Sequence, residues 1–288
     1  MKQIFLLIFV LFFVSCSNSE PKKLKIAVNS WIGYTPLFYA QEKGYLEKIN
    51  INLVPTVSLG ESADIFGVAK VDMLTATQHE LHALEKNFNS IEAIILIDRS
   101  NGGDMILSNR TIEQLQKSKK ISTYLEIDSI NSEMIRAFTK NNKINEEVIT
   151  YINKDQSQIQ ELAYTDSEDT IIVTYTPYNN TLESKGYFEV ASTKDINNII
   201  VIDSICTTKE FRIANKQTLK QLKAIIDRSI KEINSNPREA HRLTQKYLND
   251  ITFEEYKDSM KTIKWINNPT PELLLKLENI NYLKESLI

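Results

Sequence analysis

The chain has 288 residues, with 34 Lys and Arg set against 37 Asp and Glu, and a formal charge of −3. That balance gives no basic face for nucleic acid, and the length exceeds what one compact core usually holds, so two lobes are expected. Two cysteines, Cys16 and Cys206, leave no room for a disulfide framework.

In chain order, Lys2 followed by the apolar run 4–14 has the charge and core length of a signal peptide and is too short to span a bilayer. It ends in Val14-Ser15-Cys16, which resembles a bacterial lipobox, with Phe13 standing where Leu is more usual. We therefore expect residues 1–15 to be a lipoprotein signal peptide, Cys16 to be lipidated, and 16–23 to form a tether. Beyond it no apolar run is long enough to cross a membrane. With Cys16 so assigned, Cys206 is left as a buried structural thiol.

Leu24, Ile26 and Val28 alternate with Lys25, Ala27 and Asn29 as a short strand would. Gly33 then allows either close backbone approach or positive φ. Thr35 is placed to cap a helix, Pro36 to begin it and Gly44 to stop it. A strand feeding a loop and a helix N-terminus leaves free backbone donors at a cleft mouth, a place suited to a small ligand. Trp31 and Tyr34 in that loop join flat apolar area to a polar edge.

Next come a strand over 51–54, a helix over 61–70, a strand over 71–75, a helix over 78–85 and a strand over 91–97. The last is apolar throughout, as in a strand buried on both faces. Ser58 and Glu61 bracket the second helix start, where hydroxyls and free N–H groups would hold an oxyanion or simply cap the helix. Thr75, Thr77 and Gln78 follow a strand directly, and Ser100 to Asp104 is loop-forming by composition. Residues 105–107 read as a crossover strand. A second set follows: helix 111–117, strand 121–124, helix 131–141, and strands 148–152 and 170–174. A return strand over 199–203 leads into a helical C-terminal part in which Leu219, Leu222, Ile226, Ile230 and Ile233 keep helical spacing. Asn236-Pro237 and Thr270-Pro271 open the last helices. Alternating strands and helices argue for an open, mostly parallel sheet in each lobe.

Enzyme signatures are weak. His79 and His82 are three residues apart where a zincin needs four, and no nucleophile elbow or phosphate-cradling loop is present. No metal, cofactor or catalytic residue is expected.

Several segments in sequence resemble the solute-binding proteins of ABC importers in the nitrate, sulfonate and taurine group, with its thiamine-precursor branch. They are Gly33-Tyr34-Thr35-Pro36-Leu37-Phe38-Tyr39-Ala40 with Gly44-Tyr45-Leu46, then Lys70-Val71-Asp72, Asp98-x-Ser100-Asn101-Gly102-x-Asp104 and Tyr175-Thr176-Pro177-Tyr178. The resemblance implies a two-lobed α/β, type II periplasmic binding protein fold with two hinge crossings near 104–108 and 199–206. It divides the chain into a first lobe over 24–104, a second over 105–200, and a return with C-terminal helices over 201–288. It also implies a small-molecule solute, an ABC permease in the inner membrane as partner, and a lipid-anchored monomer outside the cytoplasm. The second-lobe loop after residue 174 would face the first-lobe motifs, which adds Tyr175 and Tyr178. The expected ligand-binding residues are thus Trp31, Tyr34, Thr35, Ser58, Glu61, Thr75, Thr77, Gln78, Ser100, Asp104, Tyr175 and Tyr178. The chain departs from the family at Leu115-Gln116-Lys117-Ser118 and at 125–132, which lack the usual glycines of the second-lobe anion cradle. Acids are plentiful near the supposed cleft (Glu61, Asp98, Asp104, Asp203), with Arg99 the one nearby cation. That mix disfavours a small inorganic anion and suits an organic solute with an amine or ring nitrogen. An enzyme resembling the pyrimidine-precursor synthases, and a module presenting ligand to a membrane receptor, stand as alternatives.

Overall fold

The computed structural model describes residues 22–88, 90–196, 199–280, 282 and 286–288. Residues 1–15, expected to be a signal peptide, and Cys16 lie outside the described residues.

The chain builds two sheets. The first begins with strand–helix–strand units: β1 (Leu24–Val28), α1 (Thr35–Glu42), β2 (Ile51–Pro55), α2 (Leu59–Gly67), β3 (Met73–Ala76), α3 (Gln78–Glu85) and β4 (Ile91–Ser100). The second holds β5 (Asp104–Ser108), α4 (Ile112–Leu115), β6 (Ile121–Leu125), α5 (Asn131–Asn141), β7 (Ile149–Asn153), α6 (Gln156–Ile159), β8 (Asp169–Tyr175), α7 (Asn179–Ser184) and β9 (Phe188–Ser192). The chain then returns through β10 (Ile202–Thr208), α8 (Lys209–Ala214), α9 (Lys216–Ser235), α10 (Pro237–Thr244), α11 (Phe253–Ser259), β11 (Ile263–Trp265) and α12 (Pro271–Asn279).

Strand order is β11-β4-β10-β3-β1-β2 in the first sheet and β7-β6-β8-β5-β9 in the second. The sheets are mixed, which corrects the expectation of mostly parallel ones. β1 pairs parallel with β2 and β3, but β10 inserts antiparallel between β3 and β4, and β11 adds antiparallel to β4. In the second sheet β6 pairs parallel with β7 and β8, while β5 is antiparallel to β8 and β9. The reason is the double crossing. A chain that leaves the first sheet at the end of β4 and re-enters near that end must run back against its neighbours.

Each lobe buries its own sheet. β4 packs Ile94, Ile95 and Ile97 into one cluster and Ala93 and Leu96 into another, as a strand covered on both faces does. The five apolar residues of α9 at helical spacing are all buried in the first cluster, and each such side chain contributes about 2 kcal/mol. Cys206 is a buried free thiol.

The elements β9, β11, α6 and α7 carry no strong periodicity and were not expected; three-residue β11 and four-residue α6 are shorter than a period can register. The return strand lies at Ile202–Thr208 rather than at 199–203, because its pairing with β4 extends to Thr208. Thr35 is not a cap. A short 3-10 turn (Ile32–Tyr34) leads straight into α1, so Thr35 is already helical and its hydroxyl donates to Ile32 O at 2.5 Å.

Candidate functional site

β1 ends at Val28, and the loop after it carries Asn29 and Trp31 to the boundary between the two sheets. Asn29 is buried, and its Nδ2 donates to the Tyr175 hydroxyl at the end of β8 at 3.0 Å. The Trp31 ring meets Tyr175 edge-on, with centroids 5.8 Å apart, and Tyr175 in turn meets Tyr178 edge-on at 5.4 Å. Tyr175 and Tyr178 belong to the first lobe's hydrophobic cluster although the second lobe carries them. The two lobes are closed on each other.

Between them lies a cavity walled by Asn29, Trp31, Tyr34, Leu59, Thr77 and Asp203 from the first lobe. Asp104, Glu126, Ile130, Asn131 and Tyr175 supply the other wall. It leaves about 10 Å³ free to the centre of a water molecule, room for about one such molecule. Glu126 also borders an outer groove of about 350 Å³ on the same measure, lined in part by Ser58, Glu61, Asp64, Asp128 and Asp155. A tight inner chamber therefore adjoins a ligand-sized vestibule.

Carboxyl groups dominate this region. Asp98 and Asp203 face each other across the β4–β10 pairing and are fully buried. Like charges directly opposite on a sheet repel, and each acid is met by a donor from the β1 loop. Trp31 Nε1 donates to Asp98 Oδ1 and Oδ2 at 3.2 and 3.3 Å, and the Tyr34 hydroxyl donates to Asp203 Oδ1. Burial holds both carboxyls well above the ordinary range; repulsion from Asp104 adds to the effect at Asp98, and repulsion from Asp98 and Asp104 adds to it at Asp203. Burial likewise pushes Asp104 up to about 7, with Glu80 adding repulsion, and Glu126 up to about 8. Arg99 does not line this cavity. It follows Asp98 on β4, and the pleat sends adjacent side chains to opposite faces.

Of the residues expected from sequence, the cavity brings together Trp31, Tyr34, Thr77, Asp104 and Tyr175. The others stand elsewhere. Ser58 accepts from Glu61 N at 3.0 Å while Glu61 Oε2 accepts from Val57 N at 2.6 Å, so both cap α2 at the outer groove. Thr75 is buried in β3 and donates to Ala27 O at 3.3 Å. Thr35 is held by its bond to Ile32, and Tyr178 backs Tyr175 without lining the chamber.

Gln78 and Ser100 bind the crossings instead of the cavity. Gln78 Nε2 donates to Ile200 O, and its Oε1 accepts from Ile202 N at 3.2 Å. Ser100 Oγ meets Thr193 Oγ1 at 2.8 Å and accepts from Asp104 N at 3.0 Å. Gln78 thus ties α3 to the returning strand, and Ser100 ties the outgoing segment to Thr193, to which Gly102 N also donates at 2.7 Å.

The sequence-based set omitted Asn29, Glu126, Asn131 and Asp203. Asn29 and Glu126 immediately follow the parallel strands β1 and β6, and their position past a carboxyl strand end was a usable signal. Asp203 becomes a neighbour of Asp98 only through the β10 insertion. The histidines lie off the chamber. His79 Nδ1 meets Glu133 Oε1 at 2.8 Å, and His241 Nε2 meets Ile251 O at 2.6 Å. Among the described residues no group of three or more His, Cys, Asp or Glu is placed to hold a metal ion. Among them, too, no helix is long and apolar enough to cross a membrane.

The fold is that of the periplasmic binding proteins. The alkanesulfonate-binding protein SsuA from Xanthomonas axonopodis pv. citri, solved with MOPS bound, matches at a TM-score of 0.72 and 10% identity, over 93% of this chain and 96% of that one. The ligand-binding component of an ABC-type import system from Staphylococcus aureus, solved with zinc, matches at 0.72 and 12%, over 90% and 92%. The periplasmic nitrate-binding protein NrtA from Synechocystis PCC 6803 matches at 0.66 and 11%, over 82% and 69%. No curated protein matches the sequence. Residues 31–240 match the family described as NMT1/THI5 like, which covers the β1 loop, the whole second lobe and the return through α9, and the chain belongs to that family.

Proposed function

We propose that this protein is the extracytoplasmic solute-binding component of an ABC importer. It captures a small organic solute (sulfonate-, amine- or pyrimidine-like) between its lobes and delivers it to a permease in the inner membrane, acting as a monomer. Lipid on Cys16 tethers it to a bacterial membrane. The observation that carries this reading is the chamber walled from both lobes and bridged by the Asn29–Tyr175 hydrogen bond. A solute touching both walls gains contacts in the closed form that the open form lacks, and so shifts the population toward closure. The binding roles in the names of SsuA, NrtA and the staphylococcal component support the same reading. No covalent step is assigned.

A thermal-shift screen with sulfonates, amines, amidines, pyrimidines and amino acids tests it, because a solute that binds only the folded protein raises Tm by linkage. A genuine hit also lowers the radius of gyration in solution scattering. A screen in which no solute raises Tm while some substrate is turned over overturns the reading in favour of an enzyme on this scaffold.

A further inference from the structure

Three buried oxygens that face the inner chamber have no hydrogen-bond partner: Asn29 Oδ1, Asp104 Oδ2 and Glu126 Oε2. All three side chains are more than nine-tenths buried, at 2, 5 and 7% exposure. Asn29 and Glu126 are held in place by their other polar atoms. Asn29 Nδ2 holds Tyr175, and Glu126 Oε1 accepts from Gln156 N at 3.2 Å. An orphaned buried acceptor costs about 1–3 kcal/mol, and more when charged, so three turned to one chamber define a place where donors belong.

Most donors of the wall are taken: Trp31 and Tyr34 are committed to Asp98 and Asp203, Thr77 Oγ1 to Glu80 and Asn131 Nδ2 to Val173 O, while the Tyr175 hydroxyl accepts from Asn29. The vestibule repeats the bias: Glu61, Asp64, Asp128 and Asp155 border it, and Lys154 is its one basic side chain. Such a mouth concentrates cations and repels anions.

We propose that the solute presents a cationic group, a primary ammonium or an amidinium, which donates to Asn29 Oδ1, Asp104 Oδ2 and Glu126 Oε2 in the inner chamber. This deepens the solute-binding reading and rests on it. An ammonium has three donors and no acceptor, which matches three acceptors lacking donors. The rest of the solute extends into the vestibule, since the chamber admits little beyond a head group. The acceptors come from both sides, Asn29 from the loop after β1, Asp104 from β5 and Glu126 from the loop after β6, so one cation joins the lobes. Where Asp104 and Glu126 are ionised, a sulfonate or nitrate placed here would bring acceptors to acceptors and negative charge to carboxylates.

Binding would be pH-dependent in a definite sense. Asp98 and Asp203, Glu80 from α3, Asp155 at the start of α6, and the phenols of Tyr34, Tyr175 and Tyr178 surround the two free acids. Burial among them favours the protonated forms of Asp104 and Glu126, with values of about 7 and 8. A bound cation favours the ionised forms. Protons therefore leave on binding, and affinity rises with pH through that window and falls below it, by up to about tenfold per pH unit for each acid.

The test uses the full chain at pH 8.5 and 6.0, with methylammonium, guanidinium, putrescine and benzamidine as cations. Methanesulfonate, nitrate and uncharged cytosine are the comparison set. The expected result is a rise in Tm and calorimetric binding for at least one cation, at least tenfold tighter at pH 8.5. Glu126→Gln and Asp104→Asn should each weaken that cation at least tenfold, and leave the Tm of the empty protein equal or higher, because an unpaired buried acid is removed. Binding by the comparison set with no cation bound overturns the cationic assignment and leaves the solute-binding reading standing. Binding of nothing at all overturns both. Unchanged cation affinity in both amide variants overturns the assignment to these acids.

Discussion

Gly33→Ala puts the packing behind the acid pair to a direct test. A Cβ built on Gly33 falls 2.1 Å from Asp98 Oδ2, 2.3 Å from Trp31 Nε1 and 2.4 Å from Asp98 Cγ. These are more than an ångström inside ordinary contact, and both partners are buried ends of one hydrogen-bonded pair. The Trp31–Asp98 bonds at 3.2 and 3.3 Å cannot survive the displacement. Overpacking of this kind costs about 1–3 kcal/mol, and orphaning a buried carboxyl about 1–3 kcal/mol more. We expect a loss of about 3–4 kcal/mol, a large share of the 5–15 kcal/mol that typically holds a protein together. Urea unfolding followed by circular dichroism should show it as a fall of about 1 M or more in midpoint at unchanged slope. Gly67→Ala is the matched control: it sits in the last turn of α2 with nothing within 4 Å of its built Cβ, and should be neutral or stabilising by about 0.5 kcal/mol. A Gly33→Ala protein within about 0.5 kcal/mol of the parent would refute the reasoning, since Trp31 and Asp98 would then have room the structure does not give them.

Tyr175→Phe removes the hydroxyl that joins the lobes through Asn29 but keeps the ring against Trp31 and Tyr178. We expect closure to weaken by about 1–2 kcal/mol, a 5–30-fold shift toward the open form, seen as a larger radius of gyration in scattering. Unchanged scattering with a lowered Tm would return Tyr175 to simple packing. His79 on α3 and Glu133 on α5 form an inter-lobe ion pair whose hydrogen bond raises the imidazole above its ordinary 6.5 and lowers the carboxyl below its ordinary 4.5. The raised His79 value makes its share of closure complete below pH 6.5 and lost as pH rises through the raised value. The lowered Glu133 value makes its share complete above pH 4.5 and lost as pH falls through the lowered one. Glu133 is 43% exposed, so the pair contributes only about 0.5 kcal/mol. In NMR titration, His79 should move back toward 6.5 in Glu133→Gln; an unmoved imidazole would break the link. Cys16→Ala should abolish incorporation of labelled palmitate and release the protein from the membrane fraction, whereas retained label would dismiss the lipobox.

Wherever a local period existed, the sequence located the element. Leu24, Ile26 and Val28 marked β1, Thr77-Gln78 directly after a strand marked the start of α3, and the 219–233 spacing marked α9. Of the residues expected to face a ligand, Trp31, Thr77, Asp104 and Tyr175 line the chamber wall, each at or just past the end of a strand where the two sheets meet. Segments too short to repeat a pattern, such as three-residue β11, left no trace.

What the sequence by itself determined is therefore the periodic elements, the charge balance and the aromatic loops from which the two lobes are made. The tertiary structure alone decided which polar groups are free. Asp98 meets Asp203 only because β10 returns from a distant part of the chain and settles between β3 and β4 in one register. Gln78 and Ser100, equally polar and equally near strand ends, are bound to the crossings, while Asn29, Asp104 and Glu126 keep an oxygen unpaired. A side chain's partner is set by long-range register and by the packing of one lobe on the other, and neither is written in the local pattern of residues.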